Sequence, residues 1–340
     1  MTQPLISVVI CTYDRAQTLR RALDSVIGQD TGGGFSYEIV VVDDGSTDNT
    51  GEVVAEAAAR AAVPVRCVRE GRGRGIAVAR NTGVTQASGE WMAFFDDDQL
   101  APPNWIKDLL ATALDQDARC VGGPRTLDLT PEQLAVLGPI RRALLGEELY
   151  PERPMMFEGK RLPTTGNLLI HREVFDTVSL FDTSMAFSGE DSDFLHRAQA
   201  AGFAAWTAPR AVVKHIIPDY RLTPDYFRWV SRRWGANFAK MDCKKRGKGK
   251  TLVLSVGRIG QAVLVTMPAL VLTLLRRDQP RLGDLRCRLW RTQAHVRQTL
   301  QLLAPTLFAQ RRFFAQLEFR KERQAFASDT DAAAKAPRRP

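Results

Sequence analysis

Cysteine is scarce in this chain and shows no pattern. The five cysteines are odd in number and none lies in a Cys-x-x-Cys pair, so the sequence predicts neither a disulfide framework nor a zinc site. Residues 1–4 have no signal-peptide character, and no internal repeat is found. These absences favour a globular protein of a reducing, cytosolic setting.

Standard phosphate-binding fingerprints are also missing. Residues 71–75 (Gly-Arg-Gly-Arg-Gly) match neither the dinucleotide fingerprint nor a P-loop. Because they precede a predicted helix, their backbone N–H groups could hold a phosphate. A flexible connector is the other interpretation.

Charge is distributed unevenly along the 340 residues. The net charge is +9, but residues 221–340 alone carry +18, with 26 Lys and Arg against 8 Asp and Glu, and residues 1–220 carry −9. A strongly basic half favours an anionic partner, either membrane headgroups or nucleic acid. Basic residues do not alternate with aromatic ones as in single-strand grooves, so we expect an anionic membrane surface and no nucleic acid.

The first hundred residues alternate between strand and helix patterns. Short β-branched runs predict buried strands, and amphipathic or alanine-rich stretches between them predict helices. The predicted strands are 5–10, 38–42, 65–68 and 91–95, and the predicted helices are about 16–27, 50–62 and 76–86. This βαβ spacing predicts an α/β fold with a mostly parallel, Rossmann-like sheet.

Beyond residue 99 the pattern is less regular. Helices are predicted at 104–115, from 171–173 onward, at 191–201 and, Arg-rich with a break at Pro305, at 281–325. Strands are predicted near 120–123, 168–170 and 211–215. Residues 124–163 are predicted to be irregular.

Three consecutive aspartates, Asp96, Asp97 and Asp98, follow the apolar strand at 91–95. Like charges at close range are unfavourable unless a cation or a proton offsets them. Clustered carboxylate oxygens suit Mg²⁺ or Mn²⁺, which in turn suit a phosphate-bearing substrate. A solvated acidic turn before the next helix is the alternative.

Other candidate groups stand at strand and helix ends. Asp43 and Asp44 end the second predicted strand, where a carboxylate binds a base or ribose or simply begins a turn. Glu190 and Asp191 open a predicted helix, where acids favour the first turn and one could be a general base. His215 ends a strand and is either a metal ligand or a core histidine.

The most apolar stretch, residues 252–275, has the length of a membrane span. Arg258 and Gln261 interrupt it, and both flanks are basic, so loop charge gives no orientation. An in-plane interfacial helix or a re-entrant hairpin fits better than a single crossing. A helix packed on the rest of the protein is the other interpretation.

The order and spacing of these motifs resemble the inverting glycosyltransferases of family two, which have the GT-A fold. The resemblance covers residues 5 to about 220, and the matching segments are 8–15, 39–50, 75–84, 91–105, 164–176 and 189–202. It implies a metal-dependent transferase that uses a nucleoside-diphosphate sugar. A basic helical extension follows the matched region.

The resemblance implies roles on the donor side. Asp96 and Asp98 would be the DxD pair, with Asp96 near the ribose and Asp98 on Mg²⁺ or Mn²⁺, and His215 would be a further metal ligand. Asp97, between them in the donor pocket, is expected to tolerate replacement best. The remaining donor-binding residues would be Thr12, Tyr13, Asp43, Asp44 and Arg80.

The acceptor side is implied in the same way. Asp191 would be the general base, Glu190 beside it would touch the acceptor, and Gly166 and Asn167 would line that side. Asp191 would remove the proton of an acceptor hydroxyl. That oxygen then displaces the nucleoside diphosphate in one step, with inversion.

One departure from the family is informative. Processive polysaccharide synthases carry the motif Gln-x-x-Arg-Trp. In this chain Arg233 and Trp234 are present, but Val230 stands at the glutamine position. We therefore expect a non-processive enzyme of the bacterial polysaccharide type. The basic and apolar C-terminal half, and not these motifs, leads us to expect a saccharide or lipid-linked acceptor at the cytoplasmic face of the membrane. The alternatives are a sugar-phosphate nucleotidyltransferase, which usually has a glycine-rich basic loop after its first strand, and a non-enzymatic basic protein that binds membrane or nucleic acid.

Four regions are expected along the chain. They are a catalytic domain at 1–220, a basic helical connector at 221–250, an apolar and basic helical membrane-associating region at 251–327, and a disordered tail at 328–340.

Overall fold

The computed structural model describes residues 5–71, 73–157, 162–185 and 189–308. The chain divides into two compact units, Met1–Thr126 with Glu148–Ile216 and Leu127–Glu147 with Ile217–Pro340. The division after Ile216 lies close to the expected boundary at 220. Residues 127–147, expected in the first domain, group instead with the C-terminal unit. The expected tail at 328–340 lies outside the described residues.

The described strands form two sheets. They are β1 (Leu5–Thr12), β2 (Ser36–Asp43), β3 (Val65–Arg69), β4 (Trp91–Asp96), β5 (Gln99–Leu100), β6 (Cys120–Gly122), β7 (Arg125–Asp128), β8 (Asn167–His171), β9 (Ala205–Thr207) and β10 (Val213–Ile216). Seven strands have the order β3-β2-β1-β4-β8-β6-β9, and three have the order β5-β10-β7. Four of the six pairings in the larger sheet are parallel, which confirms the predicted mostly parallel α/β fold.

Helices connect these strands and make up most of the second unit. They are α1 (Ala16–Ile27), α2 (Thr50–Arg60), α3 (Ile76–Gln86), α4 (Trp105–Asp115), α5 (Pro131–Ala135), α6 (Pro139–Leu144), α7 (Arg172–Val178), α8 (Glu190–Ala200), α9 (Pro224–Gln261), α10 (Met267–Leu275) and α11 (Gln279–Leu303). The basic helical C-terminal extension is thereby confirmed.

Both faces of the larger sheet are covered. Strand side chains alternate in direction, so Val8 and Ile10 of β1 belong to one apolar cluster while Val9 between them belongs to another. Helices α1, α2 and α4 contribute to the first cluster, and α3, α7 and α8 to the second. The sheet is therefore buried on both sides, and only its ends remain for polar chemistry.

Residues 127–147 are more regular than predicted. Thr130 and Gln133 form a capping box at the start of α5, a signal present in the sequence. At the start of α6, the Asp284 carboxylate accepts hydrogen bonds from the backbone N–H groups of Ile140 (2.8 Å) and Arg141 (3.0 Å). The predicted irregularity of this stretch is wrong because α6 is capped by a residue over 140 positions away.

A break and a buried polar layer characterise the second unit. Gly247 has left-handed φ (80°) and interrupts α9, close to the expected boundary at 250. His295 of α11 is fully buried, and its ring nitrogens lie 3.2 Å from Asp242 Oδ2 and 3.1 Å from Ser255 Oγ. The two segments of α9 on either side of Gly247 are thus joined to α11 by hydrogen bonds.

The apolar stretch at 252–275 is helical throughout, through the end of α9, a π-helical turn (Ala262–Thr266) and α10. The stretch Pro224–Leu275 contains a window long and apolar enough to cross a membrane by length and composition. Much of its apolar surface is exposed, including Val253, Val256, Leu264, Val265 and Leu275.

Two glycines inside helices test the packing of the first unit. A Cβ at Gly83 of α3 would lie 2.3 Å from Val9 Cγ1, whereas a Cβ at Gly51 of α2 would meet nothing within 4 Å. We expect Gly83→Ala to lower the free energy of unfolding by about 1–2 kcal/mol through overpacking. Gly51→Ala should raise it by about 0.4–1 kcal/mol. Urea denaturation midpoints check both, and equal shifts of the same sign would contradict the close packing of α3 on β1.

Candidate active site

The three aspartates after β4 have different surroundings. Asp96 is partly exposed, and its Oδ2 lies 3.4 Å from Gln99 Nε2. Asp97 is 4% exposed and Asp98 is 8% exposed. Desolvation of adjacent carboxylates is costly unless positive charge or hydrogen bonds compensate for it.

Arg15 and Thr12 provide part of that compensation, since burial still raises the pKa of Asp97 above its ordinary value. Arg15 Nη1 lies 2.5 Å from Asp97 Oδ1 and 3.0 Å from Asp98 Oδ2, and Thr12 Oγ1 donates to Asp97 Oδ2 at 2.8 Å. Burial by itself would lower the pKa of Arg15, but Asp97 and Asp98 raise that pKa overall. The guanidinium therefore remains charged between the two carboxylates.

These contacts change the expectation for Asp97. It was expected to tolerate replacement best, yet its side chain is almost fully buried and both of its oxygens are bonded. Because the backbone turns after β4, the middle aspartate faces inward to Thr12 and Arg15. Arg15 itself was not predicted as a site residue, although its place in the turn after β1 puts it at the same end of the sheet.

Asp98 and His215, the two predicted metal ligands, lie close together. His215 Nε2 lies 3.4 Å from Asp98 Oδ2, because β10 pairs with β5 and the Ile216 N–H donates to the Asp98 carbonyl oxygen at 2.8 Å. No group of three or more His, Cys, Asp or Glu side chains suited to a metal occurs among the described residues. One carboxylate and one imidazole nevertheless fit Mg²⁺ or Mn²⁺, which commonly take their other ligands from water and substrate phosphates.

The carboxylates that end β2 stabilise two turns. Asp43 is buried, and its Oδ1 accepts from the Ser46 N–H at 2.8 Å. The Asp44 carboxylate accepts from the N–H groups of Arg74 (2.9 Å) and Gly75 (3.1 Å). Asp44 therefore holds residues 74 and 75, the end of the glycine-rich stretch, against the end of β2.

Arg80 and Glu190, which were assigned separate roles, form one buried ion pair. Arg80 Nη1 donates to Glu190 Oε1, with side chains 10% and 6% exposed. The guanidinium also lies 5.9 Å from the centre of the Phe181 ring. The pair joins α3 to α8 across 110 residues of sequence, and no sequence motif signals it.

Asp191 follows Glu190 in the first turn of α8. It is partly exposed, and its Oδ1 accepts from the Ser192 N–H at 2.7 Å. In the described part of the chain it has no hydrogen bond or ion pair with another predicted site residue. A partly exposed carboxylate next to a buried, fixed glutamate is well placed to receive a proton from a bound molecule.

Gly166 and Asn167 shape the other side of the site. A Cβ at Gly166 would lie 2.3 Å from Asp96 Oδ2, so only glycine leaves that carboxylate its space. Asn167 accepts from Trp105 Nε1 (2.8 Å) and donates to the carbonyl oxygens of Pro124 (3.0 Å) and Ala211 (2.8 Å). Asn167 is buried, so the hydrogen bonds of its side-chain amide hold Trp105, Pro124 and Ala211 together on this side of the site.

Two cysteines, Cys11 and Cys67, lie near acidic groups of the site. Cys11, near the end of β1, has its pKa raised by burial to about 12. It is therefore a neutral thiol at physiological pH, and a nucleophilic role for it is disfavoured. Tyr13, which was predicted together with Thr12 to bind the donor, is partly buried.

Comparison with known proteins gives one family. The family model "Glycosyl transferase family 2" matches residues 7–177. The succinoglycan biosynthesis protein ExoO of Rhizobium meliloti (strain 1021) is 35% identical over 222 residues, covering 63% of this chain and 61% of its own length. Glycosyltransferase AglE of Haloferax volcanii is 28% identical over 203 residues, covering 60% of this chain and 64% of its own length. The chain thus spans less than two thirds of each of these relatives.

Other relatives extend the comparison. The glucosyl-dolichyl phosphate glucuronosyltransferase of Haloferax volcanii is 27% identical over 254 residues, covering 70% of this chain and 77% of its own length. Among solved structures, the mannosyltransferase PcManGT from Pyrobaculum calidifontis, in complex with GDP-Man and Mn²⁺, superposes with a TM-score of 0.58 at 18% identity. It covers 87% of this chain and 88% of its own. This likeness confirms the GT-A fold.

The paired positions of Asp98 and His215 make metal affinity the direct test of the site. We expect Asp98→Asn and His215→Ala each to weaken Mn²⁺ binding in the presence of a nucleoside diphosphate by about tenfold or more, as a charged ligand is lost or an imidazole removed. Electron paramagnetic resonance of free Mn²⁺ measures this. Asp115→Asn, an exposed carboxylate at the end of α4, is the control, and equal loss in all three variants would contradict the assignment.

Proposed function

The chain belongs to glycosyl transferase family 2, and from this we propose that it moves a sugar from a nucleoside-diphosphate sugar to an acceptor hydroxyl with inversion. The observation that carries the proposal is the contact of Asp98 with both His215 and Arg15 at the end of the parallel strands. In open α/β sheets, ligands bind at this end. The same end carries Thr12, Asp43 and Asp96.

Donor binding would use residues at or just after the ends of β1, β2 and β4, together with His215 of β10. Asp98 and His215 would hold Mg²⁺ or Mn²⁺, which when bound neutralises negative charge on a departing diphosphate. Mn²⁺ is the ion in the PcManGT complex. Arg15 pairs with Asp97 and with Asp98, which reduces the repulsion between these two neighbouring carboxylates. Asp43 and Asp96 would accept hydrogen bonds from the base or ribose.

Proton transfer would use the first turn of α8. Asp191 would accept the proton of the acceptor hydroxyl as that oxygen attacks the anomeric carbon and the bond to the diphosphate breaks. Glu190 is buried against Arg80, and we assign it to positioning Asp191 instead of to direct contact with the acceptor. Gly166 would leave room for the sugar beside Asp96.

The acceptor we propose is a saccharide, free or lipid-linked, in cell-surface polysaccharide or glycoconjugate synthesis. Two relatives support this class: ExoO is named for succinoglycan biosynthesis, and another relative is named for transfer to a glucosyl-dolichyl phosphate. The exposed apolar side chains at 252–275 support attachment to a membrane, whose cytoplasmic face we expect.

The proposed base has a matched control in its own helical turn. We expect Asp191→Asn to lower kcat by about 10² or more with little change in the KM for the donor. Asp193→Asn removes an equivalent acid that pairs with Arg197 on the same helix, and its kcat should change little. The assay is metal-dependent release of nucleoside diphosphate across a set of nucleotide sugars. Near-normal turnover of Asp191→Asn would contradict the base assignment, and release of pyrophosphate would contradict transfer itself.

Membrane attachment is tested by adding charge to the apolar stretch. Leu264 is 77% exposed, and burying a leucine side chain contributes about 1.5–3 kcal/mol. We therefore expect Leu264→Asp to weaken flotation with phosphatidylglycerol vesicles by about tenfold or more. Val136→Asp, at an exposed valine of the same unit, is the control. Equal flotation of wild type and Leu264→Asp would mean that this stretch does not insert.

A further inference from the structure

A cavity of the second unit, wide open to solvent, is lined mainly by arginine. Its volume is about 350 Å³, and its lining residues are Ile140, Arg258, Gln261, Arg288 and Arg291. Arg288 and Arg291 are three residues apart on α11, and Arg258 and Gln261 are three apart on α9. Residues at this spacing share a helix face, so two helices each present a pair of hydrogen-bond donors to one space.

The positive charge in this cavity is incompletely compensated. Arg291 Nε is buried and has no hydrogen-bond partner among the described residues. Burial lowers the pKa of Arg291 most, and the charges of Arg258 and Arg288 lower it further, whereas Cys287 and Asp284 act to raise it. Its guanidinium lies 5.8 Å from the centre of the Trp234 ring, which fixes its position without neutralising it. Three guanidinium groups that repel one another favour a bound anion.

Two carboxylates of this unit compensate the arginines only in part. Asp284 accepts hydrogen bonds from the backbone N–H groups of Ile140 and Arg141 at the start of α6. Asp242 lies 3.2 Å from His295 Nε2 and forms a longer ion pair, at 3.9 Å, with Arg258 Nη2. Neither acid is a lining residue of the cavity.

We propose that this cavity is a binding site for a phosphate monoester group. Planar guanidinium forks match phosphate oxygens in two-point hydrogen bonds, and the Gln261 amide adds a neutral donor. The cavity volume lies at the lower end of small-ligand sites, which suits a headgroup-sized anion. The site is separate from the proposed transfer chemistry and does not depend on it.

The phosphate has two possible sources, a lipid headgroup or a soluble phosphate ester. The helical segment that carries Arg258 and Gln261 also carries exposed apolar side chains, among them Val256, Ile259 and Val263. These side chains lie on other faces of the helix than Arg258. A helix that carries basic and apolar side chains at the same level can bind a phospholipid through its headgroup and its acyl chains.

Two probes distinguish these sources. Both are used with the full-length chain, in a buffer that contains EDTA. Equilibrium dialysis measures binding of inorganic phosphate, and sedimentation measures binding to phosphatidylcholine vesicles with and without phosphatidic acid. We expect Arg288→Gln and Arg291→Gln each to weaken phosphate-dependent binding by about tenfold, as a charge-assisted hydrogen bond is lost. Arg288 is exposed, so its variant folds even if loss of Arg291 disturbs packing.

Arg286→Gln is the matched control, because Arg286 is exposed on the same helix but outside the cavity. We expect it to change binding less than about twofold. Loss confined to phosphatidic acid vesicles identifies the lipid source, and loss for both probes identifies any phosphate monoester. If Arg286→Gln weakens binding as much as Arg288→Gln, or if wild type binds neither probe, the site is overturned. Neither result depends on whether the chain transfers a sugar.

Discussion

Compensation of buried negative charge is the constraint on which the candidate site depends. Three adjacent carboxylates end a strand that is covered on both faces, so water cannot solvate all of them. Arg15 lies between Asp97 and Asp98, and Thr12 donates a hydrogen bond to the second oxygen of Asp97. With Asp97 held inward, Asp98 is directed to His215, and Asp96 remains beside Gly166. The turn after β1 is therefore as much a part of the site as the aspartates.

Much of the fold was predictable because its signals are local. The β-branched runs and the alternation of strands with helices are written in consecutive residues, and the predicted strands of the first hundred residues occur where expected. The contact of His215 with Asp98 was predictable only through resemblance to a family, because over a hundred residues separate them. The position of His215 at the end of a strand did not by itself decide between a metal ligand and a core histidine.

The sequence did not indicate contacts that depend on distant packing. The Arg80–Glu190 pair, the inward orientation of Asp97 and the capping of α6 by Asp284 each join segments far apart in the chain. Asn167 is instructive in this respect, because its motif suggested a lining residue whereas its three hydrogen bonds connect Trp105, Pro124 and Ala211. Short motifs therefore predict the location of a site better than they predict the contacts of each side chain in it.

The strand order has a consequence for how the chain assembles during synthesis. Strands β3, β2, β1 and β4 lie side by side and come from the first hundred residues, whereas β8, β6 and β9 complete the sheet with later segments. Domains generally fold from the N-terminus as the ribosome extends the chain. Strands β1 to β4 can then pair with one another before the residues of β8 and β9 have left the ribosome. The open edge of β4 must wait for β8, some seventy residues later, and until then it is the part of the nascent sheet most exposed to incorrect pairing.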